Sequence, residues 1–259
     1  MSDGRDPKHN PHHSFKVTVP RAAPFEEKPL RSIHVYRDGI GRVDLVDHMG
    51  TDLTIVNSAR VSFGKHKETI DEKDKKLVNY LVKHRHTSTF EHNLVTLRFV
   101  VPLFVRSQHH RHRTWSYNEI SRRYTDVNIQ FYEPDEFRTQ HKSNRQASNP
   151  DETADPILYT PVQKVSEAVR AHHEDSMRLF DKMIEAGVCR EQARGVLPQN
   201  MYTEYYGTVN LSNLLKFIDL RTHEGAQWEI QKVAEACLDI AEGLWPVAVG
   251  AYRRGKSND

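Results

Sequence analysis

The densest polar stretch of the chain covers residues 108–124 and contains four arginines, three histidines and a single acid, Glu119. It follows directly on an apolar stretch, residues 99–105. Guanidinium groups bind phosphates through paired hydrogen bonds, and nearby Asn, Ser and Glu side chains add directional hydrogen bonds to a polar ligand. This composition predicts a site for an anionic ligand that also carries a planar polar ring.

Three other interpretations of residues 108–124 stay open at this point. The stretch could be a solvated basic face of the protein. It could be a structural network in which Glu119 pairs with Arg122 or Arg123 at helical spacing. It could also be a metal site made of the three histidines. We disfavour a metal because adjacent histidines point in different directions and neighbouring arginines repel a dication, so no metal is predicted.

Two smaller clusters have the residue types of a binding site. Residues 86–92 combine His86, Glu91 and hydroxyl side chains, which fits a ligand site and the capped end of a helix equally well. In the C-terminal half, Arg190 and Arg194 share a helix face, and a following helix brings further polar groups that could converge on an anion. That third set consists of Asn210, Lys216 and Arg221.

The overall composition limits the class of protein. The 259 residues carry 37 basic and 35 acidic side chains, a net charge of +2, which argues against general coating of nucleic acid. No apolar run approaches the about 20 residues needed to span a membrane. The two cysteines, Cys189 and Cys237, are too few for a disulfide framework, so we expect a cytoplasmic protein.

The elements that would position these residues form one domain. Residues 1–31 are rich in proline and poor in apolar side chains, which predicts a flexible tail before a single domain over residues 32–255. Period-two alternation predicts a strand over residues 92–101, two shorter strands on either side of residues 38–41, and another near residues 129–132. Residues 134–158 show no period and are predicted to be a long surface loop.

Helical periodicity dominates the rest of the chain. It predicts helices over residues 52–63, after a capping box at residues 69–72, over 190–197, over 210–221, and along the apolar face of Ile230, Val233, Cys237, Ile240 and Leu244. A long helix is predicted from Pro161 to Gly187, with an inner face of Val162, Val165, Val169, His172, Leu179 and Met183. The fold class is therefore α/β or α+β, with more helix than strand.

One motif in the basic stretch is specific to a known family. Arg111-His112-Arg113, seven further residues and Ser121 resemble the signature of the flavin-dependent thymidylate synthases. Three further blocks resemble the family in the right order: residues 59–63, residues 86–92, and a C-terminal series from Ala193 to Ile230. The resemblance covers about residues 32–250.

The resemblance implies a fold and a reaction. The fold would be a central, mostly antiparallel sheet flanked by long helices, with a helix-rich C-terminal half. The protein would be a homotetramer with active sites at subunit interfaces. It would convert dUMP to dTMP, with methylenetetrahydrofolate as carbon donor, FAD as hydride carrier, NADPH as the reductant of the flavin, and no cysteine nucleophile.

The resemblance also implies roles for individual residues. The cofactor-binding positions would be Ser62, Ser88, Glu91, Arg111, His112, Arg113, Asn118, Glu119, Asn210, Lys216 and His223. The substrate-binding positions would be Gln108, Glu119, Ser121, Arg122, Arg123, Arg194 and Arg221. The catalytic set would be Arg194, Ser121 and His86. Ser121 is assigned to substrate binding, because a serine nucleophile needs an adjacent base and none is evident.

The chain departs from the family pattern at three positions. Lys216 stands where Asn is frequent, Gly225 stands where His is frequent, and His223 lies two residues earlier as a possible substitute. Ser88 replaces a frequent Thr and keeps the hydroxyl. Three other functions stay open: a flavin- or nucleotide-binding homologue without turnover, a nucleic-acid-binding module, and a metal-dependent hydrolase built from His86, His92 and the histidines of residues 109–112.

Overall fold

The structure is a computed structural model that describes residues 29–159 and 163–256. The predicted tail lies almost entirely outside the described residues, as do Pro161 and Val162. The strands are β1 Arg31–His34, β2 Arg42–Met49, β3 Leu94–Pro102, β4 Ser116–Glu119, β5 Arg138–Gln140, β6 Ser148–Thr153, β7 Ile157–Tyr159, β8 Gln163–Lys164 and β9 Tyr202–Asn210. The helices are α1 Asp52–Arg60, α2 Glu72–Lys83, α3 Leu103–His109, α4 Val165–Glu185, α5 Arg190–Ala193, α6 Leu211–Arg221, α7 Trp228–Leu244 and α8 Pro246–Lys256.

A five-stranded antiparallel sheet, in the order β1-β2-β3-β9-β4, organises the fold. Val95, Leu97, Phe99 and Val101 of β3 are buried, as their alternation predicts. Helix α7 packs the predicted face of Ile230, Val233, Cys237 and Ile240 into the same core. The mixed α/β class with a mostly antiparallel sheet is confirmed.

Several predicted elements differ from the structure. The central strand β9 and the terminal helix α8 were not predicted. Residues 129–132 form only an isolated bridge, Phe131 to Met201, and the predicted loop over residues 134–158 contains β5, β6 and β7. Helix α2 is capped by Asp71, whose carboxylate accepts from the backbone N–H groups of Lys73 and Asp74, so the predicted box at residues 69–72 is shifted by two positions.

Helix α4 buries a different face from the predicted one. His173, Ser176 and Phe180 are buried, whereas Leu179 is 49% exposed. Phe180 packs in a small cluster with Ala193 of α5, Leu197 and Met201, which directly precedes β9. The position of that cluster, and not the count of apolar residues along the helix, decides which face turns inward. Gly187 ends the helix region with a φ of 84°, a value that suits glycine.

Candidate active site

The turn that carries Arg111, His112 and Arg113 lies between α3 and β4, next to a buried aromatic cluster. The Tyr117 hydroxyl lies 3.1 Å from the carbonyl oxygens of both His109 and His112 and shares its one hydrogen between them. The Tyr117 ring also stacks on His110 with ring centroids 4.1 Å apart. A single tyrosine on β4 therefore fixes the backbone of this turn.

Arg221 joins the turn to the end of α6. Its Nε donates to His112 Nε2 over 3.0 Å, and its Nη2 donates to the Gln108 carbonyl oxygen, also over 3.0 Å. Burial, with the nearby Arg221 charge as a second cause, lowers the pKa of His112 to about 4. His112 is therefore neutral at neutral pH and accepts the guanidinium hydrogen bond. Predicted site residues from two distant parts of the sequence therefore meet here.

Glu119 pairs with a residue that the sequence did not single out. Arg106 on α3 holds the Glu119 carboxylate through two contacts of 2.9 Å, and the Thr203 hydroxyl donates to it over 2.6 Å. The proposed pairing of Glu119 with Arg122 or Arg123 is wrong, because this part of the chain is strand β4 and helical spacing does not apply. A fixed carboxylate is thus present beside the turn.

The loop after β4 separates the two arginines that follow Ser121. Arg122 is 8% exposed and donates from Nη1 to the carbonyl oxygen of Val127 over 2.7 Å, so it braces the loop from inside and does not face an open surface. Arg123 is exposed, with Nη2 3.5 Å from a Glu191 carboxylate oxygen. Ser121 Oγ accepts from the Arg123 N–H over 3.3 Å. Within the described residues no base contacts the Ser121 hydroxyl, so no activated serine is formed.

The remaining arginines of the predicted site are open to solvent. Arg194, in a 3₁₀ turn after α5, is exposed, and in residues 29–159 and 163–256 its guanidinium has no hydrogen-bond or ion-pair partner. Four further predicted cofactor or substrate contacts are exposed in the same way, namely Arg111, Arg113, Asn118 and Glu91.

A second region of the predicted site is built on α1. A 3₁₀ turn, Val61–Phe63, follows α1 and carries the exposed Ser62, and another, Thr87–Phe90, carries the exposed Ser88. The Ser58 hydroxyl of α1 donates to the Thr89 carbonyl oxygen over 3.2 Å and ties the second turn to the helix. The structure therefore places these two sequence blocks on neighbouring elements.

A cleft of about 970 Å³ lies between α2, the 87–90 turn, α6 and α8. His86 and Lys216 both line it. Lys216 Nζ donates to Asn213 Oδ1 over 3.3 Å, and the Asn210 side chain caps α6 by accepting from the Asn213 N–H over 2.9 Å. The Ser212 hydroxyl, buried in the cleft wall, has no hydrogen-bond partner among the described residues.

His223 stands apart from this cleft. It is exposed, and its Nδ1 accepts from the Gly225 N–H over 3.0 Å, which closes a local turn. It is not among the described residues that line the cleft. His223 therefore lies outside this cleft, and its role in place of the usual flavin contact stays a prediction.

The histidines of residues 109–112 do not converge on one point. Nδ1 of the fully buried His109 lies 2.8 Å from the Tyr205 hydroxyl, while His110 stacks on Tyr117 and His112 accepts from Arg221. Among the residues that the structure describes, no group of three or more His, Cys, Asp or Glu side chains is arranged to hold a metal ion.

Sequence reasoning did not identify the residues that support the site. Arg106, Tyr117 and Thr203 all bind site residues or their backbone, but the predicted cofactor, substrate and catalytic positions include none of them. Tyr117 and Arg106 lie inside or next to the basic stretch, so proximity to the motif was the available signal. Thr203 had none, because its strand β9 was not predicted.

The fold and the site together define an α+β protein with an arginine-rich site beside an antiparallel sheet. A profile of the family described as Thymidylate synthase complementing protein matches residues 44–247. The chain belongs to this family. It is 44% identical over 215 residues to the flavin-dependent thymidylate synthase of Thermus thermophilus, covering 82% of this chain and 75% of that protein.

One further relative and one solved structure show the same similarity. The flavin-dependent thymidylate synthase of Thermosipho africanus is 42% identical over 212 residues, covering 82% of this chain and 90% of that protein. The crystal structure of the UMP/dUMP methylase PolB from Streptomyces cacaoi, bound with 5-Br dUMP, superposes with a TM-score of 0.70 and 33% identity, covering 82% of this chain and 94% of that one. In residues 29–159 and 163–256, no helix is long and apolar enough to cross a membrane.

Proposed function

We propose that this protein is a flavin-dependent thymidylate synthase that reductively methylates dUMP to dTMP. The carbon donor is methylenetetrahydrofolate, and NADPH supplies the reducing equivalents. The observation that carries the proposal is the Arg221 contact with His112 and the Gln108 carbonyl, because it joins the family signature to the C-terminal block in one arrangement. Arg221 lies 109 residues from His112 in the sequence.

The cleft beside Lys216 fits FAD. Its volume of about 970 Å³ suits a large cofactor. Lys216 offers a cation for a pyrophosphate, and the Ser212 hydroxyl has no hydrogen-bond partner among the described residues. His86, which also lines the cleft, offers a flat ring, with its centroid 5.9 Å from that of Tyr80 and 6.4 Å from that of His84. When bound, FAD supplies the hydride transfer.

The protein's own residues then bind and orient the nucleotide and polarise its uracil ring. Exposed Arg111, Arg113 and Arg123 present guanidinium groups to phosphates. Arg194, which has no partner in the described chain, stabilises negative charge that develops on the uracil ring. Gln108 and Ser121 bind the nucleotide through neutral hydrogen bonds.

A thiol nucleophile has no place in this scheme. Cys237 is fully buried, and burial raises the pKa of its thiol far above the usual range. Cys189 is exposed, and its Sγ contacts the Gln192 side chain. Both are free thiols, which is in keeping with our proposal of a cytoplasmic location.

We propose that the working form is a homotetramer with active sites between subunits. Val61 and Phe63, which flank the proposed cofactor residue Ser62, are 70% and 78% exposed. Large apolar side chains exposed together mark interaction surfaces. A neighbouring subunit that covers them would lie directly against the cofactor position.

The test is turnover by the purified protein with FAD, NADPH, methylenetetrahydrofolate and dUMP, with dTMP quantified by chromatography. We expect dTMP formation that depends on each of the four components. Flavin binding without dTMP would identify a homologue that has lost turnover. If the protein binds no flavin at saturating FAD, the proposal is wrong, and salt-dependent binding of nucleic acid is the next measurement.

A further inference from the structure

A chain of hydrogen bonds runs from the β5–β6 hairpin to Gln108. Arg138 Nη2 lies 2.6 Å from Glu229 Oε1. Gln227 Nε2 donates to the other oxygen of the same carboxylate, Oε2, over 2.9 Å. Gln108 Nε2 in turn donates to Gln227 Oε1. Four side chains from three separate parts of the sequence thus form one continuous path.

The path has a fixed polarity. A carboxylate only accepts hydrogen bonds, so Glu229 forces Gln227 to turn its NH₂ group toward it. The Gln227 oxygen must then face Gln108, and Gln108 donates a hydrogen bond to it from its own NH₂ group. Gln108 is left with its amide oxygen and one N–H directed away from the path. The charge on Glu229 therefore sets which atoms of Gln108 are available to a ligand.

The anchor of this path is rigid. The Glu229 side chain is only 4% exposed, and a buried carboxylate is costly unless it is paired and hydrogen-bonded. Arg138 supplies the charge, and the Tyr132 hydroxyl donates to Glu229 Oε1 over 3.3 Å. Arg138 itself is held by its Nε hydrogen bond of 2.9 Å to Ser148 Oγ on β6, with its guanidinium carbon 5.0 Å from the centroid of the Trp228 ring.

We infer that Arg138, Glu229 and Gln227 are positioning residues that orient the Gln108 amide for the nucleotide. This inference rests on the proposed function, in which Gln108 binds dUMP. It gives the β5–β6 hairpin, a segment outside the family motifs, a role in recognising the substrate.

The first experiment measures dUMP affinity by titration calorimetry on the flavin-loaded full-length protein. Gln227→Ala breaks the path but leaves the Arg138–Glu229 pair intact, so the variant retains its buried ion pair. We expect its Kd for dUMP to rise roughly tenfold, the size of effect that loss of one well-placed hydrogen bond produces. Arg138→Ala should act in the same direction, and Arg138→Lys should recover part of the affinity because it restores a cation beside Glu229.

The matched control is Arg145→Ala, which removes the same charge from an exposed position between β5 and β6. We expect its dUMP affinity to equal that of the wild type. The melting temperature of every variant is recorded, because a purely structural role would lower it without changing the affinity of the folded protein.

A double-mutant cycle decides between positioning and an unrelated effect. If the path acts through Gln108, Gln227→Ala should have no further effect on dUMP affinity in a Gln108→Ala background. Additive losses in the cycle, or wild-type affinity in both Gln227→Ala and Arg138→Ala, would overturn the inference. Absence of dUMP binding by the wild-type protein would instead overturn the proposed function, so the two failures are distinct.

Discussion

The turn around His112 and the cleft beside Lys216 are both served by α6, but they are built in opposite ways. Around the turn, Arg221 donates two hydrogen bonds to residues 108–112, and the Tyr117 hydroxyl shares its hydrogen between the carbonyl oxygens of His109 and His112. Around the cleft, the Ser212 hydroxyl has no hydrogen-bond partner among the described residues, and His86 and Lys216 are exposed. Hydrogen bonds within the chain therefore preorganise the turn, whereas the cleft has polar groups left for a ligand or another subunit to satisfy.

The largest effect is expected at Arg194, whose exposed guanidinium has no hydrogen-bond or ion-pair partner within the described chain. Arg194→Ala should reduce dTMP formation by a factor on the order of 100 to 1,000, because it removes a cation from the charge that develops on the substrate. The melting temperature should stay unchanged, since the side chain is exposed and forms no hydrogen bond or ion pair with the described residues. The measurement is steady-state turnover beside a thermal melt. Normal turnover would show that Arg194 has no catalytic role.

Arg221→Ala removes the two charge-assisted hydrogen bonds that hold the turn around His112. It should lower the affinity for dUMP and FAD by roughly tenfold to 100-fold, because the turn is then no longer fixed. Arg221→Lys should rescue little, since one ammonium does not reproduce two guanidinium contacts in fixed directions. Arg178→Ala, which removes an exposed arginine of α4, is the control and should bind both ligands normally. Full rescue by lysine would mean that only the charge matters.

Acid should weaken the turn through His112. Its pKa is lowered to about 4 in the folded protein, against 6.5 for the unperturbed group. The unfolded chain then binds the proton first, so the stability due to neutral His112 is full above pH 6.5 and falls as the pH drops toward 4. His112→Asn, which cannot titrate, should lose less melting temperature between pH 7 and pH 4.5 than the wild type. Equal losses in the two proteins would contradict this assignment.

Ser121→Ala should retain turnover, with kcat/KM lower by about threefold to tenfold from the loss of one neutral hydrogen bond to the nucleotide. Among the described residues this hydroxyl hydrogen-bonds to the Arg123 N–H and to no base, so the described chain gives it no means of activation. Complete loss of turnover with normal dUMP binding would restore Ser121 as a nucleophile.

The smallest effect is expected at the cleft. Lys216→Met should weaken FAD binding by about twofold to threefold at low salt, and the difference should shrink at high salt, because an exposed cation interacts through a screened field. Fluorescence titration of FAD at two salt concentrations measures it. A large loss that salt does not change would mean that Lys216 makes a desolvated contact, and the cleft would then be as preorganised as the turn.

Local patterns in the sequence determined the elements that bury one regular face. The alternation in β3 and the 3.6-residue period in α7 correspond to the buried residues of the structure. The Arg-His-Arg signature with its further blocks identified the family that the profile and the relatives confirm. These signals are short-range or motif-based, so they can be recognised in the sequence without knowledge of the fold.

Only the tertiary structure decided which partner each polar group takes. Glu119 binds Arg106 and Thr203, not Arg122 or Arg123, and Glu229 binds Arg138 across 91 residues. The inward face of α4 and the central place of β9 also came from packing against distant elements. A hydrogen bond between groups far apart in the chain depends on where packing brings them, and no local period encodes that distance.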